Sequence, residues 1–292
     1  MYQNYKKSGT IHKIIQKNVR DKFDKFYNTL EIVEFIEDQI KTYSKYDENE
    51  PLNAGIAFPV GISINDVAAH DTPSNNDRLI NKDDLLKIDY GIHINGCISD
   101  GAFSICPSGK YDELIKISEG ATNIGIKNSG PDCILGEIGG YIQEYIESKE
   151  IVIDNATYQI KSIYDLSGHN MAPYIIHLNK AVPNIRIPYY ERMKEDEVFA
   201  IETFPTTGSG DIYNCSECNH FMIEQKNVHN INEESKKIYD LRKTLAFCPR
   251  WFDVPQDKYI SKFPILKTTD GGRVAQYEKT IYVKSNKVDI IN

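Results

Sequence analysis

The chain has 292 residues, 40% hydrophobic and 26% charged, enough for one large domain or two small ones with ordinary cores. Its 42 acidic and 34 basic residues leave a formal charge of -8, the opposite of the balance a nucleic-acid binder shows. No window reaches the apolar length of a membrane span and no secretory core follows Met1, so we expect a cytoplasmic protein, off the membrane, with six reduced cysteines.

In chain order, Ile11, Ile14, Ile15, Val19, Phe23 and Phe26 recur at helical spacing and predict a helix within 8–26. Leu30, Val33, Ile36, Ile40 and Tyr43 predict a second over 29–43. The glycine and β-branched residues of 53–70 predict strands. KIDYGIHINGCISD (87–100) reads as a hairpin about Asn95-Gly96, a dipeptide whose turn matches strand twist. Helices are expected over 110–127 and 134–148, then strands and loops in YQIKSIYDLSGHNMAPYIIH (158–177) and DEVFAIETF (196–204). The order helix, helix, strands thus occurs twice, which predicts an α+β domain of two similar halves, one sheet under one layer of helices. Polar residues 221–266, with a helical pattern near 233–247, interrupt that order and are read as an inserted helical subdomain within a single domain of residues 1–292. GGRVAQYEKTIYV (271–283) returns to strand.

The hairpin carries an acid on each arm. With a two-residue loop, position 91 faces 100, and Asp89 shares a face with Asp100; a longer turn would break that parity. Two carboxylates on one buried face repel each other and lose hydration; protonation would relieve this, as would a cation, and a divalent metal is the economical answer for two acids on a stiff scaffold. Glu202 in VFAIETF and Glu278 in VAQYEKTIYV are charges inside apolar strands, and His169 follows Gly168 in the loop LSGHNMAPY. Each alone has an ordinary reading: an edge acid facing solvent, a surface histidine. Together they point to a dimetal site. Cys215-Ser-Glu-Cys218 has the spacing of half a zinc ribbon, but no second pair follows it.

The segments KKSGTIHKIIQKNVR, GIAFPVGISINDVAAHDTP, KIDYGIHINGCISDGAF, LSGHNMAPYIIH, VFAIETF, ECNHFM, TLAFCPRW and VAQYEKT resemble, in order and spacing and nearly end to end, the type 2 methionine aminopeptidases. The resemblance implies the pita-bread (creatinase/aminopeptidase) fold: pseudo-twofold halves, antiparallel sheet covered by helices, and a type 2 helical insert at 221–266. It implies five metal ligands, Asp89, Asp100, His169, Glu202 and Glu278, around two divalent ions. Oxygen-rich ligation with one imidazole admits Mn, Co, Fe or Zn. The activity implied is removal of the initiator methionine from nascent proteins with a small second residue, by a metal-bridged water attacking the scissile carbonyl.

By the same resemblance Glu202 doubles as base, and His70 and His177 are the active-site histidines that do not ligate metal. Phe58, Gly61, Ile176, His220 and Ala246 would line the methionine pocket with His70 and His177. His12, His93 and His229 match no active-site position. The expected partners are polypeptide N-termini beginning with Met, the nearby ribosome, and epoxide inhibitors of the fumagillin type alkylating His70, with no nucleic acid or membrane; a monomer is expected. No lysine- and acid-rich block precedes the domain, so tethering through one is not implied. Arg273-Val274, Pro205 and Ala172-Pro173 depart from the family's usual residues, and the insert is abridged after Tyr259. Arg273 is expected near the pocket mouth. Two other readings compete. One is a different pita-bread metallohydrolase, an aminopeptidase P or prolidase, against which the insert and GIAFPVGISINDVAAH argue. The other is an inactive binding relative, against which the five intact ligand positions argue.

Overall fold

The computed structural model describes residues 1–74 and 78–292. Helix α1 (Tyr2–Lys22) runs into a short 3-10 turn, and α2 (Thr29–Ser44) starts at Asn28. The Asn28 side chain accepts from the Glu31 N–H at 2.9 Å, and Glu31 accepts from the Tyr27 N–H at 2.8 Å. The first bond satisfies a donor that the helix start leaves without a partner, and the second fixes the chain just before the cap.

Strands β1 (Ala54–Ile64), β2 (Val67–Ala69), β3 (Leu86–Ile94) and β4 (Cys97–Ile105) follow. An antiparallel sheet in the order β1-β3-β4 lies under α1 and α2. Ile15, Val19, Ile32, Ile36 and Ile40 of the helices bury against Val60, Ile62, Ile88, Tyr90 and Phe103. Ile15, Val19, Ile36 and Ile40 belong to the helical stripes expected from the sequence, whereas Ile14 and Tyr43, expected on the same stripes, are exposed.

The second half repeats the plan. Helices α3 (Asp112–Lys127) and α4 (Leu135–Glu147) lead to a hairpin of β5 (Glu150–Ile153) and β6 (Ala156–Gln159). Short β7 (Lys161–Ser162) precedes β8 (Ser167–Met171), β9 (Ala181–Pro183), β10 (Val198–Thr203) and β11 (Pro205–Thr206). Then come β12 (Ile212–Ile223), α5 (Glu233–Arg242), β13 (Ile260–Thr268), β14 (Tyr277–Val283) and β15 (Val288–Ile290). The second main sheet has the order β15-β14-β10-β8-β9, and Leu114, Ile138 and Ile142 of its helices pack on Phe199, Ile201, Ile281 and Val283.

The halves meet along β4 and β14. The Asp100 N–H donates to the Thr280 hydroxyl at 2.8 Å, and that hydroxyl is equally 2.8 Å from the Asp100 carbonyl. Asn292 Nδ2 donates to the same carbonyl at 2.6 Å. His12, stacked on Tyr90 at 4.0 Å, completes the seam from α1. His12 is therefore a core residue, as is buried His93.

The excursion expected over 221–266 is narrower than its sequence suggested. Residues 221–223 finish β12 and 260–266 belong to β13, in a sheet ordered β12-β13-β2. Between them lies one α-helix of ten residues. The reason is where the apolar residues sit: Phe221, Ile223 and Ile260 at the ends cluster with Ile238 and Phe247, leaving the polar middle only enough for one short amphipathic helix.

Arg250 ties this excursion to α2 by forking onto Glu37 at 2.6 and 2.9 Å, with side chains only 17% and 8% exposed. Glu37→Ala leaves that guanidinium buried without its counter-charge. It should lower the unfolding free energy by about 3–5 kcal/mol, read as a shift of the urea midpoint at unchanged slope.

Candidate metal centre and substrate cavity

Asn95 and Gly96 both take left-handed φ, 48° and 76°, as the tight hairpin turn requires. The register that follows opposes Gly91 to Asp100 and Asp89 to Ala102, which puts both aspartates on one face. The second half does the same with different strands. Glu202 on β10 lies directly opposite Glu278 on β14, and Ala200, two residues before Glu202, opposes His169 on β8. All five side chains line one cavity of about 230 Å³.

Asp100, His169 and Glu278 each offer a ligand atom within 4.8 Å of the other two. His169 Nε2 stands 3.6 Å from both Asp100 Oδ2 and Glu202 Oε1. That is too long for a hydrogen bond. It suits atoms sharing one ion, since two ligands about 2.1 Å from a cation at ordinary angles are about 3.0–3.6 Å apart. The imidazole is no counter-ion to the acids: burial holds its pKa well below the usual histidine range, and the neighbouring His177 adds to this.

Asp89 Oδ1 and Asp100 Oδ1 are buried with no hydrogen-bond partner, and Asp89 Oδ2 receives only Gln276 Nε2, at 3.4 Å. Burial raises the Asp89 carboxyl from 3.8 to about 7. Asp100, Glu202 and Glu278 are pushed well above the carboxylate range, first by burial and then by the charge of neighbouring acids, Asp89 among them. An oxygen-rich set with one neutral imidazole and orphaned buried oxygens fits a hard or borderline divalent cation.

The rest of the cavity is built on a distorted strand. β1 slips register against β3 twice, between Ile56 and Phe58 and between Phe58 and Gly61. Gly91 makes room for the displaced ring, since a Cβ there would meet Phe58 Cε1 at 2.2 Å. Phe58, Gly61, Ile176, His220 and Ala246 all border the cavity, with His70 and His177. The nitrogens of His220 are 2.9 Å from Asn219 Oδ1 and 3.3 Å from the Pro59 carbonyl, so both are engaged with protein oxygens. His70 has φ 64°, a sparsely populated conformation for a side-chain-bearing residue. His177 is exposed to the cavity and sets its ring edge-on to His169 at 4.2 Å.

Gln276 and Phe263 are among the lining residues that the sequence did not single out. Gln276 was findable, since it stands two residues before Glu278. Phe263 was not: it lies inside the presumed insert, yet its ring is 5.8 Å from His70 and 5.9 Å from His177. Arg273, expected near the mouth, does not border this cavity. Its Nε donates to the Tyr111 hydroxyl at 3.3 Å and its Nη1 to the Gly271 carbonyl at 3.2 Å, beside a separate groove.

Residues 3–285 match the family described as metallopeptidase family M24. A protein named methionine aminopeptidase 2, from Clavispora lusitaniae, is 36% identical over 312 residues, covering 100% of this chain and 71% of its own length. One of the same name from Dictyostelium discoideum is 37% identical over 313 residues, covering 100% and 70%. The crystal structure of methionine aminopeptidase from Thermotoga maritima superposes with a TM-score of 0.68 at 17% identity, over 99% of this chain and 95% of that one.

Protons and a cation compete for the same oxygens. In the cation-free chain Asp89 keeps its proton up to about pH 7, against 3.8 ordinarily, so this group subtracts stability as pH rises between those values. A divalent cation removes that penalty. The rise in melting temperature on adding saturating Mn²⁺ or Co²⁺ to chelator-treated protein should therefore be larger at pH 7.5 than at pH 5.5. Calorimetric titration at pH 6.5 in two buffers of different ionisation enthalpy should show proton release.

Proposed function

Because the chain belongs to metallopeptidase family M24, we propose that the carboxylate-floored cavity is its active centre, acting on polypeptide N-termini with methionine first and a small residue second. The enzyme is a methionyl aminopeptidase, a metal-dependent hydrolase with the pita-bread fold. The observation that carries the assignment of the site is the meeting, in one cavity, of a floor of four acids and one imidazole with an apolar wall.

In this proposal Asp89, Asp100, His169, Glu202 and Glu278 hold two divalent cations. When bound, the ions supply Lewis acidity and bring the pKa of a water down toward neutrality. The chain's own groups do the rest. Glu202 accepts the proton of the attacking water on a carboxylate oxygen and passes it to the leaving amine. Burial lowers His70, and the surrounding cavity walls lower His177, whose ring stays accessible, so both are neutral near pH 7 and each carries one N–H. Those N–H groups would meet the carbonyl oxygen of the scissile bond as charge builds on it. The floor would hold a cation within reach of the substrate's free α-amine, which would fix cleavage after the first residue. Phe58, Ile176 and Ala246 offer an unbranched thioether a soft wall with little polar demand.

The type 2 subclass is our reading of relatives at 36 to 37% identity. We also place the enzyme in the cytoplasm, as a monomer acting near the ribosome; no described helix is long and apolar enough to cross a membrane. His70 is the group we expect a fumagillin-type epoxide to alkylate.

Metal-loaded protein should release methionine from Met-Ala-Ser in preference to cleaving Xaa-Pro peptides, and a preference for the proline substrates would overturn the assignment. Asp100→Asn should keep the fold by circular dichroism and bring kcat below about a tenth of wild type, because it removes one ligand charge.

A further inference from the structure

We propose that Arg242, at the end of α5, is a positioning residue that fixes the width of the methionine side-chain pocket; this rests on the methionine-releasing reading given above. Its guanidinium is directed at backbone carbonyls on two different elements. Nε and Nη2 donate to the Ala246 carbonyl at 3.2 and 2.8 Å. Nη2 also reaches the Ile56 carbonyl at 3.1 Å and the Ala57 carbonyl at 3.4 Å.

These carbonyls sit where the pocket is shaped. Ile56 and Ala57 stand at the first register slip of β1, and Phe58, the next residue, is one wall. Such an irregularity interrupts the ladder, so its carbonyls need partners from elsewhere. Ala246 is itself a wall. One planar cation therefore spans two walls of the same pocket, through charge-assisted bonds stronger than neutral ones. A lysine is a point charge and lacks the fork that serves two directions at once.

The surroundings keep the group charged and in place. The Trp251 ring lies over it at 4.8 Å. Burial lowers the guanidinium only to about 10, so it remains protonated at neutral pH. A side cavity of about 80 Å³, bordered by Gly55, Ile56, His93 and Leu245, abuts the arginine. Without the clamp, β1 is free to relax toward a regular ladder and carry Phe58 with it. The acids of the floor are not among its partners, so the effect should fall on substrate side-chain binding and spare the proton chemistry.

The test uses metal-loaded wild type, R242K and R242A on Met-Ala-Ser and Leu-Ala-Ser. R242A should raise KM for Met-Ala-Ser about tenfold with kcat within about twofold, the signature of lost ground-state binding. Its preference for methionine over leucine should narrow. Millimolar guanidinium, which fits the vacated side cavity, should restore KM in R242A and leave wild type unmoved. R242K should fall between the two, and its KM decides the matter if R242A does not fold. Unchanged KM and selectivity in the folded variants, or a loss confined to kcat, overturns the proposal. A wild-type enzyme that releases no methionine defeats the functional reading, and this proposal with it. An active wild type with silent variants defeats this proposal alone.

Discussion

Four carboxylates share one buried floor, and that crowding is the constraint from which the rest of the fold can be understood. Directly opposed like charges such as Glu202 and Glu278 destabilise a sheet, and each loses hydration as well. Left to itself, such a floor would spread apart or fill with protons. The chain resists spreading by drawing its acids in pairs from two stiff antiparallel sheets, Asp89 with Asp100 and Glu202 with Glu278. The sheets in turn are pinned at the seam by Thr280 and Asn292, which hold the backbone of Asp100 itself. Counter-charge from outside then becomes the natural complement of the floor.

The remainder of the cavity follows a different logic. The floor depends on regular ladders, whereas the apolar wall depends on their interruption. Two slips in β1 turn Phe58 toward the cavity over a glycine that offers no side chain in return. His70 adds a backbone conformation that a residue with a Cβ rarely takes. Strain and irregularity are thus gathered on the side that would meet the substrate, and regularity on the side that would meet ions.

How much of this the sequence disclosed depended on the range over which each feature is decided. The hairpin was legible because Asn95-Gly96 fixes loop length locally, and loop length fixes which residues share a face. Glu202 and Glu278 were legible as charges in apolar runs. Their direct opposition was not, since it depends on pairing strands separated by the whole excursion. The two halves appeared in the order of elements without shared identity, because burial constrains the pattern of apolar residues more tightly than their kind. Arg273 was misplaced by reading proximity in sequence as proximity in space: β14 begins only at Tyr277, and the backbone ahead of it carries the arginine to another face. Phe263 gave no signal at all, since an aromatic in a polar excursion looks the same whether it covers the excursion's own small core or reaches back to a histidine.

Neither half of the molecule is a smaller version of the whole. The tip of the first hairpin, at Gly96, receives the backbone N–H of Tyr174, from the segment that goes on to supply Ile176 and His177. A glycine is needed there, because any side chain would strike the tyrosine ring. During translation the first pair of acids emerges early, while the last arrives with β14. An unfinished chain, even one that has folded its leading sheet, therefore lacks part of the acid floor, and on the proposed reading it gains the power to cut peptides only once Glu278 has been made, released and folded into place.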